Sequence, residues 1–382
     1  MHKKTIPLFK VSMSEDVIKP LNEVLLSGFI GEGPKVQEFE MLLKKHFQSL
    51  LLMTTNSATS ADHLALHLLK KPHGEWPGVQ EGDEVLATPL TCTATNWPIL
   101  ANGYNLKWVD VDPDTCNMDL DDLERKVTEK TKVILVVHWG GNPVDLNRLK
   151  KIQDRSKELY GFKPAIIEDC AHSFGSKYDE VPLGSHGNLA FYSFQAIKHF
   201  TTGDGGMLML PHPELYNRAK LLRWYGIDRE TNSKDFRCEE DIPEWGYKFH
   251  MNDINATIGI HNFPHALKVV ERHHDNAEYY QEELQGVDGV TLLKRDPRAY
   301  SADWIYTIKV KNRDAFMRHM GNRGIMVSRV HERNDKHSCV AAYKTLLPNL
   351  EKLTEEMICI PNGWWVTDED RKYIVDCIKE GW

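Results

Sequence analysis

A chain of 382 residues is longer than a typical single domain, so two domains are the starting expectation. Hydrophobic residues make up 41% and charged residues 27%, a globular composition that excludes wholesale disorder and low-complexity architecture. Lys and Arg number 47 against 55 Asp and Glu, and the resulting net charge of −8 gives no footprint for nucleic acid or an anionic membrane. No apolar run reaches the roughly 18 residues that a spanning helix needs. The basic start, Met1 to Pro7, is not followed by the apolar stretch of a secretory signal. Seven scattered cysteines, none paired as Cys-x-x-Cys, argue against a disulfide framework or a zinc site and fit a reducing cytoplasm.

In chain order, the first two-thirds alternates helix and strand. Met53 to Ala61 leads from an apolar stretch into a helix whose apolar positions are Ala61, Leu64, Ala65 and Leu68. Lys70 to Gly82 carries two prolines and reads as a loop. Short apolar runs follow at Val85–Thr88, Lys107–Val111, Val133–Val137 and Ala165–Glu168. Between them, Leu120, Leu123 and Val127, and then Leu146, Leu149, Ile152 and Leu159, mark helices. Apolar strands alternating with amphipathic helices predict a mostly parallel sheet covered on both faces, with ligands beyond the carboxyl ends of the strands. Gly226 to Glu244 is polar and reads as a long loop. A different pattern follows: a helix from Ala266 to about Leu284, strands at Val290–Leu293 and Ile305–Val310, and helices at Asp314–Met320 and from Asp368. The expected division is a large α/β domain over 1–255 and a smaller α+β domain over 256–382. His273 and His274, in a charged helical stretch, are expected to be solvated.

The chemistry concentrates between Ile167 and Leu210. Asp169 directly follows a strand, where a carboxylate can meet a protonated ring nitrogen. Lys198 precedes the turn Thr201-Thr202-Gly203-Asp204-Gly205-Gly206, and a desolvated lysine can form a Schiff base with an aldehyde. Ser193 can donate to a phosphate. An anion for a pyridinium, a lysine for an aldehyde carbon and donors for a phosphate are together what pyridoxal phosphate needs. Ser57, Ala58 and Thr59 supply small residues at a helix N-terminus, where free N–H groups and the helix dipole favour an anion. Taken singly, each has a plainer reading: Asp169 or Ser57 as an N-cap, Lys198 as a surface lysine.

These segments, in order, resemble the DegT/StrS group of pyridoxal phosphate-dependent nucleotide-sugar aminotransferases, of the aspartate aminotransferase fold (type I). The likeness runs over nearly the whole chain. It rests on Gly28–Pro34 with Phe39-Glu40, Asn56–Ala61, Glu168–His172, Ser193–Lys198 with Gly203–Gly206, Gly246–Met251, and Pro361 with Thr367–Asp370. The resemblance implies that Lys198 carries the cofactor and then moves a proton, that Asp169 pairs with the pyridinium, and that His172 lies near the phenolic oxygen. It assigns the phosphate to Ala58, Thr59 and Ser193. Two positions depart from the group's pattern. Cys92 stands where a ring-stacking aromatic is usual and can cover the ring only as a small, soft group. Lys248 stands where many members place Asn against the phosphate of the neighbouring subunit's cofactor, and lysine can serve there as a point charge.

The resemblance further implies a homodimer, L-glutamate as amino donor, pyridoxamine phosphate as intermediate form and a nucleotide-linked keto-sugar as acceptor. Arg229, His331 and Arg333 are the candidates for sugar-nucleotide donors. The form of the segment from Ser193 to Gly206, with two threonines before the glycines, resembles the branch that aminates C-4 of a 4-keto-6-deoxyhexose. The alternatives are a C-3 aminotransferase, a sugar dehydrase or a non-catalytic member of the fold. Dehydrases of this group replace the lysine with histidine, whereas here Lys198 holds that position and His199 follows it.

Overall fold

The computed structural model describes residues 5–229 and 241–382. The middle of the expected loop from Gly226 to Glu244 lies outside the described residues. In chain order the strands are β1 (Leu52–Thr55), β2 (Glu84–Ala87), β3 (Asn105–Trp108), β4 (Thr131–Val137), β5 (Ala165–Asp169), a short pair β6 (Lys177–Tyr178) and β7 (Val181–Pro182), β8 (Leu189–Ser193) and β9 (Gly206–Met209). Seven of them form one sheet in the order β1-β9-β8-β5-β4-β2-β3. Strands β3, β2, β4, β5 and β8 are mutually parallel, and β9 runs antiparallel between β8 and β1.

The continuous apolar runs have a direct cause: both faces of this sheet are buried. Val85, Ala87, Val133, Leu135, Ile167 and Phe191 point into one core, and the alternating Leu86, Ile134, Val136, Ile166, Ala190 and Tyr192 into the other. The helices that cover the sheet include α2 (Pro34–Phe47), α3 (Ala58–Leu68), α4 (Thr93–Ala101), α5 (Leu120–Lys126), α6 (Leu146–Tyr160) and α7 (Pro213–Arg223), while α1 (Ile18–Leu26) lies outside them with no buried residue. Asp119 caps α5 and Asp145 caps α6, each by accepting backbone N–H groups of the first turn. Lys70 to Gly82 holds no strand or helix of its own, as expected of a loop.

The helix expected from Ala266 starts much earlier, as α8 (Asp253–Glu283). Pro264 lies inside it. In the folded chain it removes one backbone hydrogen bond and the helix continues, held on both sides by packing. Gly259 lets α8 press on α2: a Cβ there would lie 2.6 Å from the Phe39 ring. Asn252 caps the true start by accepting the Asn255 N–H at 2.9 Å. The proposed domain division at 255/256 falls in the first turn of this helix.

Beyond α8, β10 (Val290–Leu292), β12 (Tyr306–Val310) and β13 (Met357–Ile360) form a three-stranded antiparallel sheet, and β11 (Ala299–Tyr300) pairs with β6. Helices α9 (Arg313–Asn322), α10 (Pro348–Glu356) and α11 (Asp368–Lys379) accompany them. A capping box of Thr367 and Asp370 starts α11. Ile308, Ile358, Phe316, Ile374 and Tyr280 form the apolar cluster of this part.

His273 and His274 are not both solvated. His273 is buried, 4.6 Å from the His199 ring, and burial pushes its imidazole down to about 4. His274 is half-buried with Nδ1 3.0 Å from the Asp303 carboxylate, which raises its pKa. Helical charge pattern alone did not reveal that α8 turns this stretch inward.

Candidate active site

The parallel strands bring three segments to one edge of the sheet. In register, Val137 lies beside Asp169 and Asp169 beside Phe191, so β4 and β5 end together and β8 runs two residues further, to Ser193. Ser193, at the end of β8, pairs with Gly206 of β9, which pairs in turn with Thr55 of β1. That row delivers Ser193 to the start of α3. Gly206 is required by proximity: a Cβ there would lie 2.5 Å from the Ala58 backbone nitrogen. Ser57 does act as the N-cap of α3, accepting the Ser60 N–H at 3.1 Å. The cap leaves the first N–H groups, those of Ala58 and Thr59, without an intrahelical acceptor. Thr59 is exposed and Ser193 is buried, its hydroxyl accepting the Gln195 N–H at 3.3 Å.

Asp169 is buried and held from two sides. The Thr95 hydroxyl donates to one carboxylate oxygen at 2.7 Å, and the Ala171 N–H donates to the other at 2.9 Å. Burial raises its pKa, against these hydrogen bonds and the nearby Lys198. Its sequence neighbour Glu168 is locked by His138 at 3.0 Å and Asn188 at 2.8 Å. Burial opposes charge on Glu168, yet those bonds hold its pKa below the ordinary value. The other nitrogen of His138 accepts the Val144 N–H at 3.0 Å, so the His138–Glu168 pair, with Cys170 beside it, is held by internal hydrogen bonds.

Lys198 sits on the turn between β8 and β9. The residue keeps some exposed surface, but its amine lies deep among protein atoms. Burial lowers the amine to about 8, against the attraction of Asp169 and Cys92. An amine titrating near 8 has a substantial free-base fraction at neutral pH, which is what attack on an aldehyde requires. His172 is buried beside it. The Gly140 N–H donates to its Nδ1 at 3.3 Å, which places the proton of the neutral ring on Nε2. Burial, then the charge of Lys198, keeps that imidazole well below its usual value. His331 stacks parallel to His172 at 5.6 Å, and burial pushes it down to about 3.

The other expected residues are placed less directly. Cys92 is the residue before α4 and lies within electrostatic reach of Lys198. Trp97, near it in sequence, packs edge-on to His337. The backbone carbonyl of Lys248 accepts from the Asn56 side chain at 3.1 Å, while its own side chain is exposed. Arg229 is exposed, pairs with Glu32 at 3.1 Å, and lines a cavity of about 710 Å³ whose walls do not include Lys198. Arg333 is buried in an internal ion network, with two bonds to Asp335 at 2.8 and 2.6 Å and one to Glu351 at 2.8 Å. Three residues escaped the reading of the sequence: Thr95, which fixes Asp169; Trp304, against Lys198; and Asp62, buried without a partner for either carboxylate oxygen. Burial, reinforced by Asp169, raises Asp62 well above its usual value.

The donor set fits one cofactor. An aldehyde needs an amine with available free base, a pyridine nitrogen needs a buried anion, and a phosphate needs unpaired N–H groups at a helix start. Pyridoxal 5′-phosphate asks for all three, and the α/β architecture with its mainly parallel sheet is that of the fold type I transferases that use it. Residues 11–379 match the profile of the DegT/DnrJ/EryC1/StrS aminotransferase family. The chain is similar in structure to AtS13 from Actinomadura melliaura, with a TM-score of 0.95, 48% identity and all of both chains covered. It is likewise similar to the sugar aminotransferase CalS13 from Micromonospora echinospora, with a TM-score of 0.94, 46% identity, and 99% and 100% of the two chains covered. A UDP-4-amino-4-deoxy-L-arabinose–oxoglutarate aminotransferase from Shewanella sediminis is 32% identical over 77% of this chain and 72% of its own. The chain belongs to the DegT/DnrJ/EryC1/StrS aminotransferase family. It is a sugar aminotransferase, and its cofactor is pyridoxal 5′-phosphate.

Proposed function

We propose that this enzyme transfers an amino group from L-glutamate to C-4 of a nucleotide-linked 4-keto-6-deoxyhexose. The observation that carries the transfer chemistry is the buried Lys198 amine, lowered to about 8, beside the buried Asp169 carboxylate. When bound, the cofactor supplies an electron sink. In this reading Lys198 anchors the cofactor and then holds and moves the proton, while Asp169 keeps the ring nitrogen protonated. His172, with its proton on Nε2, donates toward the phenolic oxygen. Ala58, Thr59 and Ser193 hold the phosphate, Cys92 covers the ring, and Lys248 reaches the phosphate in a partner subunit. His331, stacked against His172, faces the hexose. Arg229 and Arg333 serve the nucleotide diphosphate, the first in competition with Glu32 and the second with Asp335 and Glu351.

The choice of C-4 is supported by the segment from Ser193 to Gly206 and by the Shewanella sediminis relative, whose name places its amino group at C-4. Regiochemistry is a matter of depth: the reacting carbon must come within roughly 3–3.5 Å of its partner atom. Incubation with L-glutamate and either 4-keto-6-deoxy or 3-keto-6-deoxy sugar nucleotides tests this. Amination of the 4-keto compounds alone is expected, and amination of only the 3-keto compounds would overturn the choice of carbon.

The reading includes a homodimer, a cytoplasmic location, and the two domains at 1–255 and 256–382. The dimer is supported by apolar side chains left in water around α1 and α2: Ile18, Leu26, Phe29, Ile30 and Met41 are all exposed. Such a patch on a monomer marks a contact surface. Light scattering at assay concentration should give twice the chain mass of 44.0 kDa. A fully active species at the mass of one chain would remove the dimer from the account.

A further inference from the structure

Trp304 lies in the connection leading to β12 and is 3% exposed. Two contacts tie it to Lys198 and a third to His172. Its indole Nε1–H donates to the carbonyl of Ile197, the residue before the lysine, at 2.9 Å. The Lys198 Nζ sits 3.5 Å from the centroid of its ring. His172 stacks on the indole at 4.2 Å with the planes 29° apart. Phe9 also stacks on it, at 5.3 Å and 24°. Phe9, Trp304, His172 and His331 are therefore successive rings drawn from distant parts of the chain, and Trp139 meets both histidines edge-on.

The titratable groups around the amine are Asp169, Cys92, His172, His199 and His331. The three imidazoles are held neutral by burial and carry no negative charge in any form, while Asp169 attracts the ammonium through its field and makes no hydrogen bond to Nζ. Among the described residues no hydrogen-bond acceptor is placed on Nζ. The indole face is thus the group in contact with the amine. An aromatic face attracts a cation most strongly when the pair is desolvated.

We propose that Trp304 is a positioning residue for Lys198: it fixes the backbone at Ile197 and holds the ammonium form of the amine on its ring face. The inference rests on the reading that Lys198 carries the cofactor. Its consequence is specific to proton transfer. A lysine released from the cofactor would rest on the indole in a fixed place, so that the proton leaves and returns along one line.

The test uses cofactor-free protein of wild type, Trp304→Phe and Trp304→Leu. Pyridoxal 5′-phosphate is added in excess across a pH series, and the rate of covalent capture is followed by absorbance. Each product is then reduced with borohydride and the labelled lysine is identified by mass. Capture requires the free amine, so the wild-type rate should rise with pH and level off above about 8. In Trp304→Leu the ammonium loses its ring face, and the midpoint should fall by roughly half to one pH unit. Trp304→Phe keeps a ring face and should stay within a few tenths of a unit of wild type, roughly. Trp304→Met refills the volume and replaces the Leu variant if that one does not fold. A ring-less variant that folds, labels Lys198 and titrates at the wild-type midpoint would overturn the inference alone, as would a Phe variant shifted as far as the ring-less one. A label on another lysine would overturn the underlying reading and the inference with it.

Discussion

Replacing Lys198 by alanine is expected to lower turnover by at least about a thousand-fold with the fold intact. General acid–base catalysis by a positioned side chain contributes on the order of 10²–10⁴-fold, and covalent anchoring of the cofactor is lost with the same amine. Folding should not suffer. Burial already opposes the charged amine, as its lowered pKa of about 8 records, so removing it also removes an unfavourable burial. Because the folded pKa lies below the ordinary lysine value, that cost is fully present below about pH 8 and disappears as pH rises toward the unfolded value. The alanine variant should therefore match or exceed wild type in thermal stability at neutral pH in the cofactor-free state. Turnover within tenfold of wild type would show that another group moves the proton.

Replacing Asp169 by asparagine is expected to cost on the order of a hundred-fold or more in turnover, by analogy with removal of one preorganised electrostatic partner of a developing charge. The side chain keeps its shape, so the loss is one of charge. Its structural cost has two opposing parts. Asparagine can accept from either Thr95 or Ala171 through its one oxygen, so one of the two hydrogen bonds is weakened, at about 1–3 kcal/mol. Against this, a buried carboxylate whose pKa is raised by burial no longer has to be charged. The sign of the pH effect follows. A raised folded pKa means that the cofactor-free protein binds the proton more tightly than the unfolded chain does. Its stability falls as pH rises from the ordinary carboxylate range through the raised value. The asparagine variant should show a flatter profile in that window, measured by thermal unfolding across a pH series. Near-normal turnover in the variant would mean that the ring nitrogen is served by another group.

The legible parts of the site were those built by local chain geometry. Ser57 to Ala61 could be read because a cap, small residues and an amphipathic helix are adjacent in sequence. Asp169 could be read because it ends a short apolar strand, and Lys198 because it lies between that strand's neighbour and a glycine turn. The strand pattern was likewise local, since Val133 to Val137 of β4 and Ile166 and Ile167 of β5 alternate between the two cores. What stayed hidden depends on residues far apart in the chain. Thr95 reaches Asp169 across 74 positions, and Trp304 reaches Ile197 across 107. Arg333 reads as a free donor in sequence because its partner Glu351 lies 18 residues away and Asp335 gives no sign of its pairing. The burial of His273 depends on which face α8 turns toward His199. The early start of α8 stayed hidden as well: the helix begins at Asp253 and runs through Pro264, which local propensity disfavours.

The claim that ties fold, site and activity together is that the Lys198 amine carries the cofactor. Borohydride reduction of the cofactor-loaded enzyme, followed by proteolysis and peptide mass measurement, tests it most directly. The expected result is the reduced cofactor's mass on the peptide that contains Lys198, and on no other. The cofactor's mass on a different lysine, or its complete release after reduction, would contradict the account.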